Sequence, residues 1–191
     1  SRKVGAKLVY MSTNAGFDGN KEGPYVPEDM PRPVNTYGHS KYLGELAALG
    51  MHARNLVIRS SLIFGGGSEK DKKFVGKVIP KFRAGDPISA VHDVRGTPTY
   101  GKDLVAALEK VIADRVSGII HIVNGGNASR YDMALVMKDA LSSQSEVSGA
   151  PRASFGDTGN ALRNEMLNPG IYTLRPWQDA LKEYILTEWK T

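Results

Sequence analysis

The chain opens on the apolar run Lys7-Leu8-Val9-Tyr10-Met11, and a second such run, Asn55-Leu56-Val57-Ile58-Arg59-Ser60, follows further along. Both runs are rich in residues that favour strands. Between them, residues 37–51 carry apolar side chains at helical spacing, Leu43 and Leu46 among them. Strand, helix and strand in this order predict a βαβ crossover and therefore a parallel sheet.

A long segment separates the first strand from the helix. Residues 14–35 are punctuated by glycine and proline, at Gly16, Gly19, Gly23, Pro24, Pro27, Pro31 and Pro33. This composition predicts an ordered loop. Loops of this length inside a compact domain are usually functional, so we expect this one to border a site.

The rest of the chain alternates between helical and strand patterns. Helices are predicted over residues 72–83, 100–114 and 130–141 and from Pro176 to about residue 190, and strands over 88–92 and 119–123. Pro80 predicts an interruption of the first of these helices. Ser129 and Asp132 predict a capping box at the third, and residues 142–160 are polar and glycine-rich.

Composition narrows the class of protein. The 191 residues are 41% hydrophobic and 24% charged, which is ordinary for a globular chain and excludes disordered and fibrous classes. The absence of cysteine excludes a disulfide scaffold, a cysteine zinc site and a cysteine nucleophile. No run approaches the roughly 20 apolar residues of a membrane span, and the basic start lacks the apolar segment of a signal peptide. We therefore expect a cytoplasmic protein with no membrane partner.

Charge and histidine content limit the possible partners. The net charge of +5 is mild, and it suits an anionic ligand such as a nucleotide or simply aids solubility. No stripe of arginine and lysine interleaved with aromatic residues is present, so we predict no nucleic-acid partner. The four histidines are scattered and form no i,i+4 pair, so we predict no metal site.

The most informative motif is Thr36-Tyr37-Gly38-His39-Ser40-Lys41. Tyr37 and Lys41 are four residues apart and would share one face of a helix. A lysine ammonium beside a phenol lowers its pKa from about 10, which would make Tyr37 a usable acid or base near neutral pH. A surface pair is the simpler interpretation of this spacing. The preceding strand, however, ends in Ser12-Thr13, where open α/β sheets bind ligands.

A longer series of motifs surrounds this one. Its first members are Met11-Ser12-Thr13-Asn14-Ala15-Gly16-Phe17-Asp18-Gly19, Pro24-Tyr25, Glu28-Asp29, Pro33-Val34-Asn35 and Gly44-Glu45; later ones are Arg59-Ser60-Ser61-Leu62-Ile63-Phe64-Gly65, Gly96-Thr97-Pro98-Thr99, Gly118-Ile119-Ile120-His121 and Trp177. The ordered series resembles the extended short-chain dehydrogenase/reductases along essentially the whole chain. Within that family it is most similar to the dTDP-4-dehydrorhamnose reductase branch, since Phe17-Asp18-Gly19 favours this branch over the sugar-nucleotide epimerases.

The resemblance implies a fold of class α/β. Residues 1–65 would form the second half of a doubly wound, Rossmann-type parallel sheet. Residues 66–191 would form a small substrate-binding region with the closing strand and helices. The implied activity is reduction of a 4-keto sugar nucleotide with NADPH or NADH, as in dTDP-L-rhamnose synthesis.

The resemblance also implies roles for particular residues. Thr13, Tyr37 and Lys41 match the catalytic hydroxyl, tyrosine and lysine of the family. Tyr37, Lys41 and Ser60 would contact the cofactor, and Thr13 and Leu62 would contact the substrate. No role for a metal is implied.

The chain departs from the family pattern in three places. No glycine-rich dinucleotide fingerprint is present, which implies that the chain starts near the fifth strand and lacks the first mononucleotide-binding half. We therefore expect a homo-oligomer, or association with that half. Asn14-Ala15 and Leu62 replace the usual Asp-Tyr and tryptophan. These departures leave two alternatives open, namely a regulatory or binding homologue resembling the methionine adenosyltransferase beta subunit, and an inactive fragment.

Overall fold

The computed structural model describes residues 4–156 and 162–190 as a mixed α/β fold. Its strands are β1 (Val9–Thr13), β2 (Leu56–Ser60), β3 (Ile63–Phe64), β4 (Ile88–Val91), β5 (Arg95–Gly96), β6 (Thr99–Tyr100), β7 (Gly118–His121), β8 (Asn124–Gly125), β9 (Ala128–Ser129), β10 (Val147–Ala150), β11 (Asn164–Glu165) and β12 (Leu174–Pro176). Its helices are α1 (Thr36–Met51), α2 (Gly67–Lys70), α3 (Phe74–Ala84), α4 (Gly101–Ala113), α5 (Arg130–Ala140) and α6 (Trp177–Glu188).

The main sheet is parallel, with the strand order β1-β2-β7. This confirms the predicted βαβ crossover, in which α1 connects β1 to β2. Every residue of β2 is buried, as expected for a parallel strand that is covered on both faces. The pairing register aligns Thr13 with Ser60, so the last residues of two neighbouring strands lie side by side at the carboxyl edge of the sheet.

The helices α1 and α4 cover opposite faces of this sheet. Ile58 of β2 packs in a cluster with Leu104 and Val111 of α4. The next residue, Arg59, hydrogen-bonds to Glu45 of α1. Because successive side chains of a strand point to opposite faces, the two helices lie on the two sides of β2.

A second hydrophobic core lies in the later part of the chain. It joins buried residues of α3, α5 and α6 to Phe64 of β3 and Tyr100 of β6. Beside it, β4 pairs in parallel with β10, a strand within the polar stretch 142–160 that the sequence did not indicate. Residues 157–160 of that stretch lie outside the described residues. The third strand of the main sheet, β7, also comes from the later part of the chain, and the division between residues 1–65 and 66–191 stays a prediction.

The helix α3 continues through Pro80, where the sequence predicted an interruption. A proline inside a helix lowers the stability of that helix by about 3 kcal/mol. The helix also buries Val75, Ile79 and Phe82 in the second core, and each such side chain contributes about 1.5–3 kcal/mol when it is fully buried. The burial therefore outweighs the lost hydrogen bond, and exposed Pro80 lies on the solvent side of the helix.

The sequence predicted the first residues of two helices, and the structure confirms one start and moves the other by one residue. The capping box of α5 is confirmed, because the Asp132 amide donates to the Ser129 hydroxyl and the Ser129 amide donates to the Asp132 carboxylate. Pro176 is the N-cap residue of α6, one position earlier than the first helical position predicted for it. Within residues 4–156 and 162–190, no helix has the length and apolar character needed to cross a membrane.

Candidate active site

An open cavity of about 340 Å³ lies at the carboxyl edge of the main sheet. Thr13 from the end of β1, Tyr37 from the start of α1, and Ser60 and Leu62 at and after the end of β2 line it. We call it the carboxyl-edge cavity. The structure thus brings four of the five predicted site residues to one place, and Lys41 is the fifth.

Thr13 is oriented by the single 3-10 turn that follows β1, Asn14–Gly16. The Ala15 amide donates to the Thr13 hydroxyl oxygen at 3.2 Å, and that hydroxyl donates to the Asn14 side-chain oxygen at 3.3 Å. These contacts fix the Thr13 side chain at the wall of the cavity. To donate to a substrate carbonyl at this wall, the hydroxyl must turn its single proton from Asn14 toward the cavity.

Tyr37 lies in the first turn of α1, which Asn35 caps by accepting from the Gly38 amide at 2.8 Å. A Cβ atom at Gly38 would lie 2.1 Å from the Ala15 carbonyl oxygen, so only glycine allows this turn to approach the segment after β1. Tyr37 is 58% exposed and lines the carboxyl-edge cavity. The close approach explains how Tyr37 and Thr13 come to border the same space.

Lys41 lies one turn further along α1, outside the set of residues that line the cavity. Its ammonium nitrogen is 4.7 Å from the centroid of the Tyr10 ring, which is a cation–π contact. Lys41 is therefore held against β1 by its contact with Tyr10. The predicted pairing with Tyr37 requires its flexible stem to extend toward the first turn of the helix.

The Ser60 side chain is buried, and its hydroxyl has no hydrogen-bond partner within the described part of the chain. A buried polar group without a partner needs an explanation, such as a ligand. Ser60 lines the carboxyl-edge cavity, so a bound molecule there could accept or donate the missing hydrogen bond.

Leu62 forms a wall between the carboxyl-edge cavity and an adjoining apolar cavity of about 220 Å³, which Phe64, Phe74 and Met133 also line. Its φ of 42° is in the left-handed region, where a non-glycine residue is strained. A Cβ atom at Gly96 would lie 2.6 Å from the Leu62 side chain, so glycine at that position makes room for it. The backbone thus holds Leu62 in a constrained position between the two cavities.

In the described part of the chain, three cations border the carboxyl-edge cavity, and the sequence patterns assigned none of them to a site. They are Lys73, Arg130 and Arg152. Glu165 lies between the two arginines, with 3.7 Å to the Arg130 guanidinium and 3.8 Å to that of Arg152. Among the described lining residues, three cations and one carboxylate form a border that suits an anionic ligand.

A buried hydrogen-bonded network lies beneath the cavity. Arg59 and Glu45 are 1% and 2% exposed and form a two-bond ion pair, with distances of 3.0 Å from Nε to Oε1 and 2.7 Å from Nη2 to Oε2. The Ser12 hydroxyl donates to the same Glu45 carboxylate. Ser12, Glu45 and Arg59 each belong to a motif of the family resemblance, but no sequence pattern indicated that they contact one another.

His121 ends β7 beside this network and is 1% exposed. Its Nδ1 lies 3.1 Å from the Asn168 carbonyl oxygen, which can only accept, so Nδ1 carries the proton of the neutral ring. Its Nε2 has no partner among the described residues. Burial lowers the pKa of His121 to about 4, and the Arg59 guanidinium also disfavours a charged ring.

Sequence comparison finds a matching family model and several similar proteins. A family model described as "RmlD substrate binding domain" matches residues 1–189. The chain is 33% identical to the dTDP-4-dehydrorhamnose reductase of Mycolicibacterium smegmatis, over 95% of this chain and 58% of that protein. It is 28% identical to the spore coat polysaccharide biosynthesis protein SpsK of Bacillus subtilis, over 97% of this chain and 66% of that protein. The chain therefore spans less than two thirds of the length of these relatives.

Solved structures agree with the sequence comparison. The crystal structure of dTDP-4-dehydrorhamnose reductase from Yersinia enterocolitica superimposes with a TM-score of 0.90 at 30% identity, over 97% of this chain and 68% of that one. The enzyme of the same name from Bacillus anthracis, solved in complex with NADP, gives a TM-score of 0.89 at 28% identity, over 96% of this chain and 66% of that one. The predicted resemblance and the Rossmann-like fold class are confirmed, and the chain belongs to the RmlD substrate-binding-domain family.

Proposed function

We propose that this chain is the substrate-binding and catalytic part of an NADPH-dependent reductase that acts on a 4-keto sugar nucleotide. One observation carries the proposal: a cavity at the carboxyl edge of a parallel sheet is lined by Thr13, Tyr37 and the Ser60 hydroxyl, which has no hydrogen-bond partner among the described residues. Polar groups converging at this edge of an open α/β sheet are typical of a ligand site. The names of the relatives above supply the substrate class.

The residues at the cavity fit the nicotinamide end of the cofactor. Ser60 offers a buried hydroxyl that has no partner in residues 4–156 and 162–190, and Tyr37 and Lys41 offer a phenol and an ammonium on adjacent turns of α1. We propose that these three groups hold the nicotinamide and its ribose. When bound there, NADPH would supply the hydride that reduces the carbonyl carbon of the sugar.

The chain's own groups would handle the carbonyl oxygen. The Thr13 hydroxyl holds this oxygen, and the Tyr37 phenol donates its proton to it as negative charge develops. The carbon thus gains the hydride, the oxygen gains the proton, and the ketone becomes an alcohol. The Lys41 ammonium stabilises the resulting Tyr37 phenolate, and exposed Tyr37 regains a proton from water.

The anionic part of a sugar nucleotide matches the charged border of the cavity. We propose that Lys73, Arg130 and Arg152 bind the diphosphate. Arginine forms paired, charge-assisted hydrogen bonds with phosphate oxygens. Glu165 contacts both arginines, and it would hold their guanidinium groups in place before a substrate arrives.

A second polypeptide segment is needed to complete the cofactor site. Among the described residues, β1 pairs with β2 alone, which leaves its other edge unpaired. An unpaired edge strand is a template for another strand. We propose that an amino-terminal dinucleotide-binding half, of the length by which the relatives exceed this chain, pairs there, and that the chain alone self-associates and binds NADPH weakly.

Binding without turnover is a second candidate function, and one observation favours it. Lys41 contacts the Tyr10 ring and does not line the cavity, whereas catalysis needs its ammonium beside Tyr37. In that case the protein would bind a nucleotide and regulate a partner.

Turnover measurements separate the two functions. In a full-length enzyme, this chain preceded by the amino-terminal half, a 4-keto-6-deoxy sugar nucleotide should cause stoichiometric oxidation of NADPH, with NMR identifying the alcohol product. Saturable binding of both ligands with no product would contradict the reductase and support the regulatory candidate. Absence of any binding would contradict both.

A further inference from the structure

Glu45 occupies a particular place relative to the proposed catalytic residues. It follows Tyr37 and Lys41 at steps of four residues along α1, so all three share one side of the helix. Tyr37 lies at the exposed beginning of this row, and Glu45 at its buried end. Glu45 is too deep to line the carboxyl-edge cavity, so any effect on the reaction is indirect.

The Glu45 carboxylate joins three elements through hydrogen bonds. It belongs to α1, it accepts from the Ser12 hydroxyl of β1, and it accepts twice from the Arg59 guanidinium of β2. Ser12 immediately precedes Thr13, and Arg59 immediately precedes Ser60. One carboxylate is therefore bonded to the neighbours of the two strand-end residues that line the cavity.

The packing between α1 and β1 is close. A Cβ atom at Gly44 would lie 2.1 Å from the Tyr10 hydroxyl oxygen, so the helix backbone lies directly on that side chain. Van der Waals packing of this kind is non-directional. The charge-assisted bonds of Glu45 are directional, and they specify one position of the helix along the strands.

The network is a weak candidate for a purely stabilising role. Removing two charges from water is costly, and a buried ion pair replaced by well-packed apolar side chains is often neutral or stabilising. We propose that Glu45 is a positioning residue, which holds the Tyr37 end of α1 in register with Thr13 and Ser60. This inference rests on the proposed reductase function.

The most direct test removes the network without leaving a charge behind. We would compare the full-length enzyme with its triple variant Ser12→Ala, Glu45→Met, Arg59→Met, and we would measure the changes relative to Ser12→Ala alone, because Ser12 also lines the cavity. We expect the triple variant to keep its melting temperature within a few degrees, because apolar groups fill the same space. Its kcat should fall about tenfold or more, because small displacements of catalytic groups slow the reaction strongly. The KM for the sugar nucleotide and the Kd for NADPH should change less than about twofold.

A matched control breaks an ion pair elsewhere. Asp103 accepts from Arg175 through both carboxylate oxygens, at 2.9 Å each, at a site away from the cavity. Asp103→Asn should lower the melting temperature and leave kcat unchanged. If the triple variant does not fold, Glu45→Asp, which keeps the charge but shortens the side chain, should show the same loss of kcat at nearly constant KM.

A spectroscopic measurement keeps the inference independent of turnover. Fluorotyrosine placed at Tyr37 should give one fluorine NMR resonance in the parent protein. In the triple variant the line should shift or split, and in Asp103→Asn it should stay the same. An unchanged kcat and an unchanged resonance in the folded triple variant would overturn the positioning role. A parent enzyme without turnover, combined with a shifted resonance in the variant, would overturn the reductase function alone.

Discussion

Buried His121 gives this protein a measurable dependence of stability on pH. The ring is neutral in the folded protein, because its Nε2 has no partner within the described residues and it lies beside the Arg59 guanidinium. Protonation would place a second N–H without an acceptor next to a fixed positive charge. We therefore expect acid to destabilise the fold through this one side chain before most carboxylates are neutralised.

The magnitude follows from the pKa of His121 in the two states. It is about 4 in the folded protein and 6.5 in the unfolded chain, so in this pH window the unfolded state binds more protons. The stability from the neutral ring is complete above pH 6.5 and declines as the pH falls toward 4. At 1.36 kcal/mol per pKa unit, the total loss is about 3 kcal/mol.

Urea unfolding at a series of pH values between 7 and 4 measures this loss. His121→Asn retains an N–H that can donate to the Asn168 carbonyl oxygen but does not titrate. The two proteins share their carboxylates, so the contribution of these groups cancels in the difference between the two unfolding free energies. As the pH falls and the parent loses the stability from neutral His121, this difference should narrow by about 3 kcal/mol. Parallel curves for the parent and His121→Asn would refute the buried, neutral assignment.

Three further substitutions address the cavity and the fold. Arg130→Gln should raise the KM for the sugar nucleotide about tenfold with little change in kcat, because the contact with the diphosphate is lost equally in the ground state and the transition state. A fall in kcat at constant KM would contradict a diphosphate-binding role for Arg130. Leu62→Trp should tighten sugar-nucleotide binding by about two- to tenfold through an aromatic face, as titration calorimetry would show, and equal affinities would remove position 62 from the substrate site. Ser129→Ala should destabilise the protein by about 1 kcal/mol in thermal unfolding, because the α5 capping box is lost. An unchanged melting temperature would show that the capping box does not stabilise the fold.

Local patterns predicted the parts of the fold that are encoded locally. The strands around β1 and β2, the helix α1 and the α5 capping box each depend on residues close together in the sequence, and the structure confirms them. The parallel arrangement followed from the order of elements. The place of Thr13 at the carboxyl edge of the sheet followed from the rule that strand ends carry ligand sites, whereas the family resemblance placed Tyr37 at the same site.

Features that depend on tertiary contacts were beyond the sequence patterns. The strand β10 has no clear alternation and forms only because β4 offers it a partner. The helix α3 passes through Pro80 because the second core buries its apolar side. The basic border of the cavity combines Lys73, Arg130 and Arg152, which are far apart in the sequence and share no motif.

The measurement that tests the central claim most directly is the turnover of the full-length enzyme with Tyr37→Phe. This substitution keeps the ring at the cavity wall and removes only the proton that the proposed reaction needs. With a 4-keto sugar nucleotide and NADPH, we expect kcat to fall by about 10²-fold or more while the Kd for NADPH stays nearly constant. A variant that retains more than half of the parent turnover would show that Tyr37 is not the proton donor.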